Sequence, residues 1–201
     1  MENPTRVQVV AALIYKAAIS ASRSMVANDH SKTHPTNYLL TIPINLRTRV
    51  VPPMPPTLSR ITKAKGPLQL VTRNIISFFL TSSTTADQKE IEVWRLTSDM
   101  KRNMEEFCSK YPKKYKVEEW CSLYKLHMKE SIERMSDQSV YTCSSWCRFP
   151  FYDADFGWGK PLWITAPVIL YKNVIILMDA KDGEGVEALV SLEKDQMEVE
   201  K

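Results

Sequence analysis

Asp155-Phe156-Gly157-Trp158-Gly159-Lys160-Pro161 is the stretch on which the reading of this chain turns. Ser144-Ser145-Trp146-Cys147-Arg148-Phe149-Pro150 precedes it, and an apolar run starting at Leu162 follows. The chain holds only five tryptophans and five glycines, so the crowding of Trp146, Trp158, Gly157 and Gly159 here points to a specified shape. Glycine admits positive φ and close backbone approach, and the interleaved Phe156 and Trp158 are expected to bury their rings against whatever the turn faces.

Asp155-Phe156-Gly157 alone would suit the magnesium-binding turn of a protein kinase. That enzyme also needs a glycine-rich loop, a strand lysine in a Val-Ala-Ile-Lys context and a His-Arg-Asp loop, none of which occurs in this sequence. The plainer alternative is an aromatic-glycine turn that only shapes the backbone.

The whole string resembles the Asp-Phe-Gly-Trp-Gly motif of the plant BAHD acyl-CoA-dependent acyltransferases, and other segments follow in that family's order. Thr5 to Lys16 is similar to the helix after the family's interdomain crossover. Ile44-Asn45-Leu46-Arg47-Thr48-Arg49 with Pro52-Pro53-Met54-Pro55 is similar to its Asn-Leu-Arg-x-Arg and Pro-Pro-Leu-Pro segment. Ser145-Trp146, the motif itself and Asp179-Ala180-Lys181-Asp182-Gly183-Glu184-Gly185-Val186-Glu187-Ala188 complete the series. The resemblance covers nearly the whole chain. It implies an α/β fold: a chloramphenicol acetyltransferase-like lobe with a mixed β-sheet flanked by helices, residues 1–201 forming the C-terminal lobe.

Family members are longer and carry a His-x-x-x-Asp motif in the half preceding these segments. The histidines here are His30, His34 and His127, and the residues four places on are His34, Tyr38 and Ser131, so the motif is absent from this sequence. In the family that histidine is the general base that takes a proton from the acceptor as it attacks the acyl-CoA thioester, a task suited to an imidazole titrating near neutrality. Surface or core roles are expected for the histidines present. No catalytic residue is assigned within the chain.

Composition is that of a folded globular protein of roughly one domain, with 44% apolar and 25% charged residues. Met1-Glu2-Asn3-Pro4 lacks the basic start and apolar core of a signal peptide, and no uninterrupted apolar run is long enough to span a bilayer. Cys108, Cys121, Cys143 and Cys147 show neither Cys-x-x-Cys nor zinc spacing, so free thiols in a reducing, cytoplasmic setting are expected, with no metal.

Charge is uneven behind a net value of +4. Ser31 to Ala86 contains no acid but carries Lys32, Arg47, Arg49, Arg60, Lys63, Lys65 and Arg73, whereas the stretch from Asp179 onward is predominantly acidic. One reading is a site for the phosphates of coenzyme A, with Arg60, Lys63, Lys65, Arg73 and Asn74 as its residues. The other is a solvated loop face. Nucleic acid is the weaker partner, because no binding module accompanies the charge.

Along the chain, Thr5 with Gln8 makes a capping box, and Val7, Val10, Ala11, Ile14, Ala17, Ala18, Ala21 and Met25 recur at helical spacing over about five turns. Asn28 to Pro35 reads as a loop. Tyr38 to Leu46, with Pro43 inside it, reads as an edge or irregular strand. Pro52 to Gly66 is a long connection, and Asn74 to Leu80 a strand. Amphipathic helices are expected over Asp87 to Lys110 and Val117 to Met135, with Trp94, Met100, Met104, Phe107 and Trp120 as core residues. Val140 to Cys147, Leu162 to Leu170, Val174 to Met178 and Val186 to Leu192 supply further strands.

The resemblance also implies roles. Arg47 matches the arginine that pairs with the aspartate of His-x-x-x-Asp and ties the two lobes. Ser144 and Trp146 fall where relatives line the acceptor pocket, and Arg148 where some hold an anionic acceptor. Asp155, Phe156, Gly157, Trp158 and Gly159 form the structural motif. The family's Gly-Asn appears as Arg73-Asn74, a departure that puts the coenzyme-side geometry in question. The implied activity is transfer of an acyl group, acetyl among the candidates, from acyl-CoA as co-substrate to a hydroxyl or amine of a plant metabolite. The expected partners are that small acceptor, acyl-CoA and the missing N-terminal lobe, without nucleic acid or membrane. The chain alone is expected to be inactive. A non-catalytic truncated homologue acting as a binding or regulatory protein, and an incomplete gene model of a full enzyme, are the alternatives.

Overall fold

The computed structural model describes residues 3–28, 35, 37–45, 76–85, 90–110, 117–135, 138–166, 169 and 171–198. Helix α1 spans Arg6–Asn28. Its start is the capping box read from the sequence: the Thr5 amide donates to Gln8 Oε1 at 2.8 Å, and the Gln8 amide donates to Thr5 Oγ1 at 3.3 Å. Two otherwise orphaned N-terminal donors are thereby satisfied. The helix is about a turn longer than expected, since 23 residues at 3.6 per turn make roughly six turns.

A five-stranded mixed sheet lies beneath α1. Its strands are β1 (Asn37–Asn45), β2 (Ile76–Thr85), β3 (Ser139–Ser145), β4 (Val174–Asp179) and β5 (Val186–Ser191), in the order β2-β1-β3-β4-β5. The β1/β3 and β3/β4 pairs are parallel, and β2 and β5 close the edges antiparallel. Helices α2 (Val93–Lys110) and α3 (Val117–Met135) fill the β2-to-β3 connection, and a short α4 (Lys194–Glu198) follows β5.

Ala11, Ala12, Tyr15, Ala18 and Ile19 of α1 pack on Tyr38 and Leu40 of β1, Tyr141 and Cys143 of β3, Ile175 and Leu177 of β4, and Leu96 and Met100 of α2. Small residues on α1 let the helix sit close to the sheet, and larger sheet residues fill the space between. Tyr15 and Tyr141 meet edge to face at 5.5 Å between centroids. The Tyr141 hydroxyl accepts from buried Gln196 of α4 at 3.3 Å, giving the phenol a partner inside the core. Tyr38 to Thr41 and Ile175 to Met178 are buried along their length, which marks β1 and β4 as covered on both faces.

Several expectations need correction. β1 is an interior strand: Pro43 lies beyond the Tyr38–Thr41 ladder with β3, so its missing amide costs no rung there, and the irregularity is a register shift at Leu40/Thr41 against β2. The first amphipathic helix begins at Val93, and Trp94 on it is 67% exposed, although Met100 and Phe107 are buried as expected. Leu162 to Ala166 forms no strand. Both flanks of β4 are already occupied, by β3 and β5, and Pro161 and Pro167 bracket the run with no amide to donate to a ladder. The Val117–Met135 helix lies where its apolar spacing placed it.

Candidate functional site

The exit of β3 brings Ser144, Trp146 and Arg148 onto one short segment. Thr142 to Ser145 pair with Val174 to Leu177 of β4, and the Trp146 amide adds a last rung to Leu177 O at 2.6 Å. The chain then leaves the sheet in a tight turn closed by the Phe149 amide donating to Trp146 O at 3.2 Å. Inside the turn Arg148 adopts φ +69°, a left-handed conformation uncommon for a residue with a Cβ. Its amide donates to Asp179 Oδ2 at 2.6 Å, across from the end of β4. Among the described residues the Arg148 guanidinium, which is exposed, makes no ion pair or hydrogen bond.

Phe151 packs edge-on to both Trp146 (5.8 Å) and Phe149 (5.5 Å), so one ring braces both ends of the turn. Ser144 and Trp146 share one face and are half-buried, whereas Cys143 on the other face is buried and Ser145, two residues further along that face, is exposed as the chain reaches the end of the strand. Burial pushes the Cys143 thiol up to about 12. Cys147 is raised first by burial and further by the neighbouring Asp179 carboxylate.

The motif loop that follows is held by its own aspartate. Asp155 Oδ1 accepts the amides of Gly157 at 2.8 Å and Gly159 at 3.0 Å, and both glycines sit at φ +103°. The sequence thus places glycine where a side chain would be strained, and the two donated amides hold the Asp155 carboxyl below its ordinary range. Lys160 and Asp153 bridge the loop's base at 2.9 Å. Phe156 and Trp158 stack on each other at 5.9 Å, and against expectation they stay 74% and 85% exposed. Leu162 and Trp163 beyond them are 85% and 70% exposed.

The β4–β5 turn completes this end of the molecule. Asp182 Oδ1 accepts the amides of Glu184 and Gly185, Gly183 takes φ +76°, and the Arg6 guanidinium of α1 donates to Glu184 O. Arg47, Arg60, Lys63, Lys65, Arg73 and Asn74 lie outside the described residues. Two residues that shape the site escaped the sequence reading as individuals. Asp179 drew notice only as the first residue of an acidic, glycine-bearing segment, and Phe151 drew none.

The model of the family described as "Transferase family" matches residues 1–201. Epi-neemfruitin B synthase L1AT of Melia azedarach is 33% identical over 198 residues, covering 98% of this chain and 40% of that protein. Akuammiline synthase 1 of Alstonia scholaris is 32% identical over 203 residues, covering 98% and 41%. The crystal structure of vinorine synthase superposes with a TM-score of 0.70 at 25% identity, covering 98% of this chain and 40% of that one. The crystal structure of F. sporotrichioides TRI101 with coenzyme A and T-2 shares the fold at 15% identity and a TM-score of 0.64, covering 98% of this chain and 41% of that one. The chain therefore spans about 40% of the length of the relatives it matches.

Proposed function

Because the chain belongs to the BAHD acyl-CoA-dependent acyltransferases of the Transferase family, we propose that it forms the acceptor-side lobe of an enzyme moving an acyl group from acyl-CoA to a hydroxyl or amine of a plant metabolite. The observation that carries this reading is the β3 exit, where half-buried Ser144 at the strand's end and half-buried Trp146 and exposed Arg148 on the turn after it are fixed beside an aromatic brace. Such a surface offers an apolar wall, a hydroxyl and a cation, which together suit a rigid metabolite carrying few polar groups. Acetyl is one candidate acyl group. Relatives that include a limonoid 1-O-acetyltransferase of Citrus sinensis and an N-malonyltransferase of Strychnos nux-vomica support a short acyl group.

The proton-abstracting histidine is supplied by a companion N-terminal lobe. Exposed Phe156, Trp158, Leu162 and Trp163 support that partner, since apolar side chains of this size left in water on one loop mark a surface meant to be covered. They also favour the lobe over a self-sufficient regulatory homologue. Cys108, Cys143 and Cys147 enter no disulfide among the described residues, which fits a reducing, cytoplasmic setting.

Thiol release from acyl-CoA with a panel of alcohols and amines tests the reading. The chain alone gives no release above background, because losing a general base typically removes ~10²–10⁴ in rate. Fused behind the N-terminal segment of a matched relative carrying His-x-x-x-Asp, it releases thiol in an acceptor-dependent way. Release from the chain alone at the rate of a full-length relative overturns the lobe assignment, and a folded fusion that transfers nothing overturns the function.

A further inference from the structure

Among the described residues two other than glycine adopt the left-handed conformation, Asn173 and Arg148, and they differ in what holds them there. Asparagine visits that region readily, and Asn173 is buried, its carbonyl accepting the Thr142 amide at 2.8 Å at the start of the β3/β4 ladder. Arginine has no such preference. Arg148 is exposed, and it follows the last sheet rung, so the ladder does not fix it. What does reach it is Asp179 Oδ2, which accepts its amide at 2.6 Å. Asp179 is the final residue of β4, paired with Val186 of β5, and so rests on the rigid sheet. The same carboxylate helps to raise the neighbouring Cys147 thiol.

We propose that Asp179 is a positioning residue: by holding the Arg148 amide it fixes the turn in its left-handed form and aims the exposed guanidinium at an anionic group of the acceptor. The inference rests on the acceptor-side reading above. Strained backbone persists where surrounding structure over-determines it, and strain at a ligand-facing turn pre-organises what the turn presents. An exposed guanidinium on a fixed stem suits a planar carboxylate, and the neighbouring Trp146, Phe149 and Phe151 rings suit an aromatic frame. The ligand class is an aromatic carboxylate.

Charge and position make opposite demands here, and that separates them. If Asp179 acted only through its charge, removing it would relieve repulsion and tighten anion binding. If it acts by position, removal lets the turn relax and binding weakens. Benzoate and benzyl alcohol are titrated into the chain labelled with ¹⁵N-arginine, and the Arg148 amide and Nε resonances are followed. The unaltered chain responds saturably to benzoate and not to benzyl alcohol. Asp179→Ala weakens benzoate binding at least about threefold, whereas Asp179→Asn, which keeps an acceptor oxygen and drops the charge, binds as well as the unaltered chain or better. Asp179→Glu keeps the charge and displaces the oxygen; it too weakens binding, and it decides the matter should the alanine chain fail to fold. Binding that is unchanged or tighter in Asp179→Ala or Asp179→Glu overturns the positioning role alone. No benzoate response in the unaltered chain overturns it together with the anionic-acceptor reading of Arg148.

Discussion

The α1/sheet core and the Trp146-to-Trp163 loop are both rich in large rings, and they put them to opposite uses. In the core Tyr15, Tyr38 and Tyr141 are wholly buried, with Gln196 of α4 donating to the Tyr141 hydroxyl. In the loop Phe156, Trp158, Leu162 and Trp163 stand mostly in water, while the backbone beneath them is tied down by Asp155, Asp179 and the Lys160–Asp153 pair. The chain therefore completes its own sheet but only pre-shapes the loop. Apolar surface drives folding of the first region, and hydrogen bonds to carboxylates hold the second, whose apolar surface is left over for a partner.

Paired truncations would break that contrast if it is wrong. Leu177 is fully buried at the centre of β4, touching the α1 cluster, so Leu177→Ala is expected to lower unfolding free energy by about 3 kcal/mol. Trp158→Ala deletes a far larger side chain, yet its 85% exposure predicts a change within about 0.5 kcal/mol for the chain by itself. Urea unfolding of both variants checks the pair. A large loss from Trp158→Ala would mean that the loop already buries its ring within this chain.

Alkaline pH probes the core from a different side. The Cys143 thiol is pushed up to about 12 from its ordinary 9.0 by burial. Above pH 9.0 the unfolded chain releases this proton while the folded chain keeps it, so the folded state binds more protons and stability falls as pH rises toward 12. The slope is about 1.4 kcal/mol per pH unit. Cys147 and Tyr141, both raised mainly by burial, add in the same direction. Unfolding curves at pH 8 and pH 10.5 are expected to diverge by roughly 2 kcal/mol from Cys143. Cys143→Ala should flatten that part of the slope, whereas an identical slope in the variant would show that the thiol is hydrated.

What could be read in the sequence follows the same division. Local signals carried far: Thr5 and Gln8 announced the start of α1, the Val117–Met135 helix matched its apolar spacing, and β4 and β5 fell where short apolar runs meet a glycine-bearing turn. The motif's glycines at φ +103° are where the sequence demanded unusual backbone. Periodicity failed at Leu162 to Ala166, because an apolar run reads alike whether it enters a sheet or waits for a partner surface. Nor does periodicity say which strand takes an edge: of the two outcomes that Pro43 suggested, an edge or an irregular strand, β1 takes the second, as an interior strand with a register shift at Leu40/Thr41. The Asp179 contact with Arg148 joins residues 31 apart and depends on the parallel register of β3 with β4, which no local pattern encodes.

The smallest expected effect concerns the loop itself. Asp155 is held below its ordinary range by the Gly157 amide and then the Gly159 amide, so the charged carboxylate belongs to the folded loop. A depressed folded value means that the loop's closure is fully present above the ordinary carboxylate range and is lost as pH falls through the folded value. Because the residue is fully exposed, the effect is local, and the global melt should barely register it. Amide exchange at Gly157 and Gly159, intrinsic rates corrected, is expected to quicken on acidification while core amides on β4 stay protected. Asp155→Ala should bring the same fast exchange at neutral pH, and Asp155→Asn, with an acceptor oxygen retained, should fall between. Were the core to loosen together with the loop in Asp155→Ala, the two regions would share one cooperative unit, and the loop could not be a surface pre-shaped apart from the sheet that carries it.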